Sequence, residues 1–243
     1  MRAMGRWCLL LLLAVAALQV FFVLRIASMS VIAPQSTTFE RSQIWQILSR
    51  QGQLPWRQTW VDRQTISPLL QRAVIASEDS TFTQHHGIWW ESLEKAWEKN
   101  AKAKARAEQR TPQRPDAKIS VKIVGGSTIS QQLAKNLFLS GERTLLRKGQ
   151  EMLLTLTLET FLSKRRILEI YLNSVEWGEG VFGAEAAAQH YFRKHAAQLN
   201  AWEAARLAVM LPRPRYFEKL SQSAYLASRA ETITARMNEV AIP

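Results

Sequence analysis

Cysteine is almost missing from this chain: its 243 residues include one, Cys8. An internal disulfide framework and a multi-cysteine metal site are therefore excluded. Acidic residues are also scarce, with 20 Asp and Glu against 32 Lys and Arg, a net charge of +12. A balance that basic calls for an anionic partner, and nucleic acid, an anionic membrane and an anionic substrate are the three candidates. Internal repeats and long low-complexity tracts are absent. A Ser-x-x-Lys occurs at Ser92 and Lys95, but the chain has no Ser-x-Asn or Lys-Thr-Gly to accompany it, which removes the penicillin-binding serine reading. His85, His86, His190 and His195 have no acidic or cysteine companions at metal-ligand spacing, so hydrogen bonding is their expected role.

Charge is missing altogether from Trp7 to Leu24, WCLLLLLAVAALQVFFVL, where Gln19 is the one interior polar residue. Such a run is just long enough to cross a hydrocarbon layer of roughly 30 Å as a helix. Arg2 and Arg6 precede it, so the positive-inside rule places residues 1–6 in the cytoplasm, an anchor at 7–25 and the rest on the far side. A cleaved signal peptide, with Ala27-Ser28-Met29-Ser30 as a weak cleavage site, is the competing reading. Export under either reading turns the basic charge away from nucleic acid and toward a membrane or an anionic lipid.

Residues 26–60 read as a juxtamembrane connector with a short helix near Ile44 to Arg50, ended by Pro55 and Trp56. Trp45, Trp56 and Trp60 suit either a membrane interface or the rim of the following core. Residues 61–243 read as one mainly α domain with a sizeable core. Ser67-Pro68 marks a helix start that runs to Glu78. Glu91 to Ala107 reads as a charged helix, 108–118 as a polar loop, and the segment after Lys118 as a strand or extended piece. From Ser127 onward helices dominate, broken near Ser140-Gly141, at 177–180 and at 212–214.

Two segments carry the chemistry. Gly125 to Leu139, GGSTISQQLAKNLFL, places Ser127, Thr128, Ser130, Gln131 and Gln132 at a loop-to-helix junction, a place suited to an anion. Glu78 to Gly87, EDSTFTQHHG, puts two carboxylates at the end of an apolar helix. Desolvation of a glutamate there raises its pKa toward the range of a useful base. A solvated helix end is the plain alternative. Further on, Arg147, Lys148 and Glu151 open an otherwise apolar helix, where an Arg147–Glu151 surface pair would be worth only a few tenths of a kcal/mol.

In order, Glu78-Asp79-x-x-Phe82-x-x-His85-His86-Gly87, Gly125 to Asn136, Arg147-Lys148-x-x-Glu151, Ile167 to Asn173 with Trp177-Gly178, and Ala204 to Pro212 resemble the five signatures of the peptidoglycan glycosyltransferases, glycosyltransferase family 51. The chain ends soon after the fifth, so it is similar to the monofunctional members. The resemblance implies a lysozyme-like fold with a membrane-associated jaw, here about 88–124. It implies lipid II and nascent lipid-linked glycan as partners, an anionic membrane and other cell-wall synthesis proteins beside them, and no nucleic acid. The implied reaction is inverting and makes β-1,4-linked glycan with release of undecaprenyl pyrophosphate, in the bacterial inner membrane with the catalytic domain periplasmic.

By position, Glu78 matches the family's base and Glu151 its second essential glutamate. Lys135 and Arg143, helped by Ser127, Gln131, Gln132 and Asn136, are the expected pyrophosphate and sugar ligands. Asp79, Phe82, His85, Gly87, Arg147 and Lys148 support the motifs. No metal site is firmly predicted, although a divalent cation such as Mg²⁺ is compatible. Glu151 is expected to pair with Lys135, Arg143 or a metal, since a free carboxylate would repel pyrophosphate. The chain departs from the family at Trp89, where an acid is common, and in a longer stretch between the first two motifs. Trp89, Trp90, Leu93 and Trp97 are expected to enter the membrane interface there, against the alternative of a basic helix packed through its tryptophans. A lytic enzyme on the same fold and a non-enzymatic scaffold are the rival functions.

Overall fold

The computed structural model describes residues 2–110, 126–139 and 144–243. The sequence expectations for Arg143, Gly125, the strand after Lys118 and the break at Ser140-Gly141 lie outside them. The described part is mainly helical, in agreement with the expected class.

Helix α1 spans Arg2–Ser28. Its apolar stretch, Met4–Ser28, has the length and composition to cross a membrane, and the rest of the protein leaves most of it uncovered. Leu9 to Leu13 are all more than half exposed, and Cys8 is exposed with them. Only the last turns meet the domain. Ile26 and Met29 are buried in its core, and Gln19 exchanges hydrogen bonds with Gln150, 3.1 Å one way and 3.2 Å the other.

Helix α2, Thr38–Gln51, is longer than the helix read near 44–50. Its start is a reciprocal cap: Glu40 N donates to Thr37 Oγ1 at 3.0 Å and Thr37 N to Glu40 Oε2 at 2.6 Å. That Thr-x-x-Glu signature satisfies two orphan donors at once. The segment expected as a connector thus contributes Ile26, Met29 and Ile47 to the buried interior. Its tryptophans divide between the two readings. Trp45 is 73% exposed, whereas Trp56 stacks on Phe182 at 4.5 Å and Trp60 packs against the core.

A small sheet, which the periodicity did not suggest, ties this segment to the far end of the chain. Strand β1, Arg57–Gln58, runs parallel to β3, Val181–Phe182, and β3 pairs antiparallel with β2, Glu176–Gly178. Gly180 lets the strands approach. Its φ is +73°, and a Cβ there would lie 2.0 Å from the Pro55 carbonyl oxygen, a clash no side chain can relieve.

Helix α3, Pro68–Glu78, begins as read: the Ser67 side chain accepts from Leu69 N, with proline at the first turn. It packs against α9, Ala201–Met210, and α11, Ala224–Arg236. Helix α4 covers Trp90–Arg110, three residues beyond the charged helix read to Ala107. Helices α5, Ile129–Phe138, α6, Leu145–Phe161, and α7, Lys164–Ser174, follow. Then come α8, Ala184–Phe192, and the short α10, Pro214–Lys219. Besides the expected breaks at 177–180 and 212–214, the helices part at Leu162-Ser163, where Ser163 caps α7.

The core runs through Leu70, Val74, Leu133, Ile167, Tyr171 and Leu207. Each fully buried aliphatic side chain contributes roughly 1.5–3 kcal/mol. The alanines of α8 and α9 are buried together, which brings those backbones close. Trp177, wholly buried, donates its indole N–H to the Leu207 carbonyl at 3.0 Å, so its one polar atom is satisfied.

Candidate active site

Glu78 is the last residue of α3 and lines a cleft of ≈ 150 Å³ with Asp79, Trp89, Gly126, Ser127 and Thr128. The first and second sequence segments therefore meet in one hollow. Gln132 Nε2 donates to Glu78 Oε2 at 2.9 Å, and the Tyr171 hydroxyl donates to Gln132 Oε1 at 3.0 Å. A buried tyrosine, through one glutamine, thus fixes the orientation of the carboxylate. Burial pushes the Glu78 carboxyl above its ordinary range, and the neighbouring Asp79 charge adds to this. The bonds from Gln132 and Ser77 and the charge of Lys135 oppose it without cancelling it. The Tyr171 phenol is held well above its ordinary range by burial and by the Glu78 and Asp79 charges, so its proton stays in place to donate.

Asp79 has a different task. Its Oδ2 accepts from Ile129 N at 3.1 Å, the first residue of α5, and its carboxylate faces His85 Nε2 at 2.9 and 3.1 Å. His85 Nδ1 accepts from Gly87 N at 3.1 Å, so the imidazole proton rests on Nε2 and points to Asp79. Thr128 Oγ1 donates to the Gly87 carbonyl at 2.5 Å. The first motif is in this way tied to the start of α5 from two sides. Gly87 has φ +83°, and a Cβ there would come within 2.8 Å of both Thr155 Cγ2 and Glu159 Cγ on α6. Phe82 is fully buried, with Lys164 Nζ 4.5 Å from its ring centre. Lys164 also pairs with Glu159 at 2.7 Å, and Glu159 accepts from the Ser130 hydroxyl.

The second segment is accordingly built into the protein more deeply than its polarity suggested. Thr128 and Gln131 form a capping box, Gln131 N donating to Thr128 Oγ1 at 3.2 Å and Thr128 N to Gln131 Oε1 at 3.0 Å. At Ile129 the helix start expected to receive an outside anion instead holds the Asp79 carboxylate. Gln131 is committed to the cap and Gln132 to Glu78, while Asn136 is buried in α5. Ser127 stands on the cleft wall, and both it and Lys135 are exposed.

Glu151 is buried on α6 and bonded by its own helix, Arg147 Nη1 at 3.3 Å and Lys148 Nζ. The functional expectation named Lys135, Arg143 or a metal as partners; the observed ones are Arg147, as in the alternative i,i+4 pairing, and Lys148, with Glu151 buried and not at the surface. Arg147 Nε is buried and has no hydrogen-bond partner among the described residues, so a donor remains beyond the ion pair. This donor set does not fit a divalent cation. Glu151 already faces two cations, and the described residues hold no group of three or more His, Cys, Asp or Glu side chains able to take a metal.

Of the residues expected at the membrane interface, Trp89 is half-buried, stacks on His85 at 6.2 Å and lines the cleft. Trp90 is 62% exposed; the side chains of Leu93 and Trp97 are outside the described set. Sequence reasoning missed the roles of Tyr171, Glu159 and Lys164; it had Ser130 facing an anion and Trp89 at the membrane interface, where the structure gives Ser130 to Glu159 and Trp89 to the cleft. Tyr171 had a signal, since a buried tyrosine hydroxyl needs a partner.

A transglycosylase family model matches residues 46–238. The chain belongs to the transglycosylase family. It is 50% identical over 227 residues to the biosynthetic peptidoglycan transglycosylase of Burkholderia thailandensis, covering 93% of this chain and 82% of that one. It is 49% identical to the protein of the same name from Janthinobacterium sp., covering 95% and 93%. The corresponding Herminiimonas arsenicoxydans protein is 48% identical over 98% of this chain and 96% of its own. Membership makes this chain a glycosyl-transferring enzyme, and the cleft at Glu78 is where the first and second of its sequence segments meet.

Proposed function

We propose that this transglycosylase polymerises lipid II into β-1,4-linked glycan strands, with inversion at the muramoyl anomeric carbon and release of undecaprenyl pyrophosphate. The observation that carries the reading is the Glu78 carboxylate, oriented by Gln132 and raised in pKa by burial at the wall of the cleft. A raised carboxylate is a stronger base than an exposed one once it is ionised. Glu78 takes the proton of the acceptor's glucosamine 4-hydroxyl as that oxygen attacks the anomeric carbon. The carbon–oxygen bond to pyrophosphate breaks on the opposite face and its electrons leave with the phosphate.

The leaving group needs charge neutralisation. Lys135, Ser127 and Arg143 are the proposed donors. Glu151 acts as the counter-charge that aligns Arg147 and Lys148. Gln131, Gln132 and Asn136 hold the wall of the groove. The product leaves a lipid carrier in the membrane, which suits a chain whose α1 lies uncovered and whose α6 begins with Leu145 and Leu146, 92% and 89% exposed. We assign α1 to the inner membrane with the domain on the periplasmic side, and the exposed α6 leucines and Trp90 to the membrane-facing surface.

The test is polymerisation of lipid II by purified wild type and Glu78→Gln, with finished glycan strands as a second substrate. The wild type should lengthen lipid II, and the variant should lose about 10²–10⁴-fold of the rate. Cleavage of finished strands without polymerisation would replace this reading with a lytic one.

A further inference from the structure

A second hollow, of ≈ 400 Å³, opens where α1, α2 and the end of α5 meet. Phe21 and Phe22 of α1 and Phe138 of α5 form its apolar wall, with the rings of Phe22 and Phe138 edge-on at 5.4 Å. Arg25 stands on the same helix, three and four residues beyond them, hence one turn further along on the same face. Arg41 closes the rim from α2. Its guanidinium is held in place: Nη1 donates to the Ser36 hydroxyl at 3.0 Å and Nη2 to Thr38 Oγ1 at 3.0 Å. Thr38 in turn donates to the Leu137 carbonyl at 2.9 Å. Neither arginine forms an ion pair with a carboxylate among the described residues. The nearest acid in sequence, Glu40, is bonded to Thr37 N and Gln58 instead.

We propose that this groove binds one anionic phospholipid, an acyl chain against Phe21, Phe22 and Phe138 and the phosphate between Arg25 and Arg41. Charge complementarity and depth both select that occupant. Arg25 lies three residues before the end of α1, about 5 Å along the axis at 1.5 Å per residue, so it reaches the headgroup layer as the phenylalanines face the acyl chains. The lipid consumed in the reaction is a poorer match. The cleft adjoins the first residues of α5 and the groove its last. A helix of that length spans about 15 Å, which puts a phosphate in the groove far from Glu78. The proposal rests on α1 being a membrane helix and on nothing in the transfer chemistry, so its failure and that of the polymerisation reading are separable.

Full-length protein in detergent micelles, given equimolar phosphatidylglycerol and phosphatidylcholine and examined by native mass spectrometry, tests it. One phosphatidylglycerol should be retained in preference to phosphatidylcholine, by up to about thirtyfold for two surface arginines. Arg25→Gln/Arg41→Gln should abolish the preference and Arg41→Gln alone weaken it, with melting checked by circular dichroism. Arg229→Gln, an exposed arginine on α11, should leave it unchanged. Equal retention of the two lipids by the wild type, or an undiminished preference in a folded double variant, overturns the proposal. So does displacement of the lipid by millimolar inorganic phosphate or by a short-chain isoprenoid pyrophosphate.

Discussion

Gln132 links Glu78 to Tyr171, taking a hydrogen bond from the phenol at 3.0 Å and giving one to the carboxylate at 2.9 Å. The amide can be read in only one orientation, because the Tyr171 proton is held fast and must find an acceptor. Its NH₂ is therefore the end that faces Glu78. A donor in that place favours the ionised base and limits how far burial lifts its pKa.

Removing the donor should show in the pH profile. Gln132→Met keeps the volume and loses the bond, so the Glu78 pKa should rise further. The acid limb of kcat/KM should move to higher pH, with the plateau rate lowered by less than in Glu78→Gln. A limb that stays in place while the rate falls would mean that Gln132 serves only to shape the cleft.

Glu78 also has a predictable effect on stability. Its folded pKa lies above the unfolded value, so the native state binds the proton more tightly. The associated stability is fully present below the unfolded pKa and is lost as pH rises through the folded one. Glu78→Gln removes that loss. Thermal melts should find the variant at least as stable as wild type at pH 7.5, with the difference shrinking as pH falls toward 4.

Glu151→Gln should both impair activity and destabilise. Arg147 and Lys148 would be left facing one another without their counter-charge. Allowing for the partial exposure of Lys148, the cost is about 1–3 kcal/mol. Chemical denaturation measures it, and Glu151→Asp should recover part of both effects.

Gly87→Ala and Gly149→Ala make an internal comparison. The first puts a methyl group into Thr155 and Glu159 at a positive φ; the second meets nothing within 4 Å on α6. Gly87→Ala should cost about 1–3 kcal/mol, whereas Gly149→Ala should be neutral or stabilising by up to about 1 kcal/mol. Melting temperatures that move together would contradict the tight contact between the first motif and α6.

Much of this was legible because the signals were local. Ser67-Pro68 announced α3, and Glu78 at its end stood out as a carboxylate following an apolar face. Thr37-x-x-Glu40 was equally legible as a cap, yet the helix read near 44–50 falls short of the true start of α2. Other features depended on distance. A two-residue strand at Arg57 carries no alternation, and its partner is more than a hundred residues away. Asp79 bonding Ile129 N, and Glu159 gathering Ser130 and Lys164, are consequences of which helices cross, and spacing along one helix does not encode that. The polar run after Gly126 was read as facing a ligand. Much of its polarity is spent on the cap, on Glu78 and on Glu159, because hydrogen-bonding groups buried in a fold must be satisfied by it.

Gln19 pairs with Gln150 nine residues before the end of α1, about 13 Å back along the helix axis. The neighbour of Gln150 is Glu151, so the helix carrying the second glutamate is docked low against the anchor and does not ride above it on a tether. With α1 spanning the bilayer, the domain keeps one height and one heading over the membrane plane. For the proposed reaction, a lipid-linked sugar would then reach the cleft by searching two dimensions.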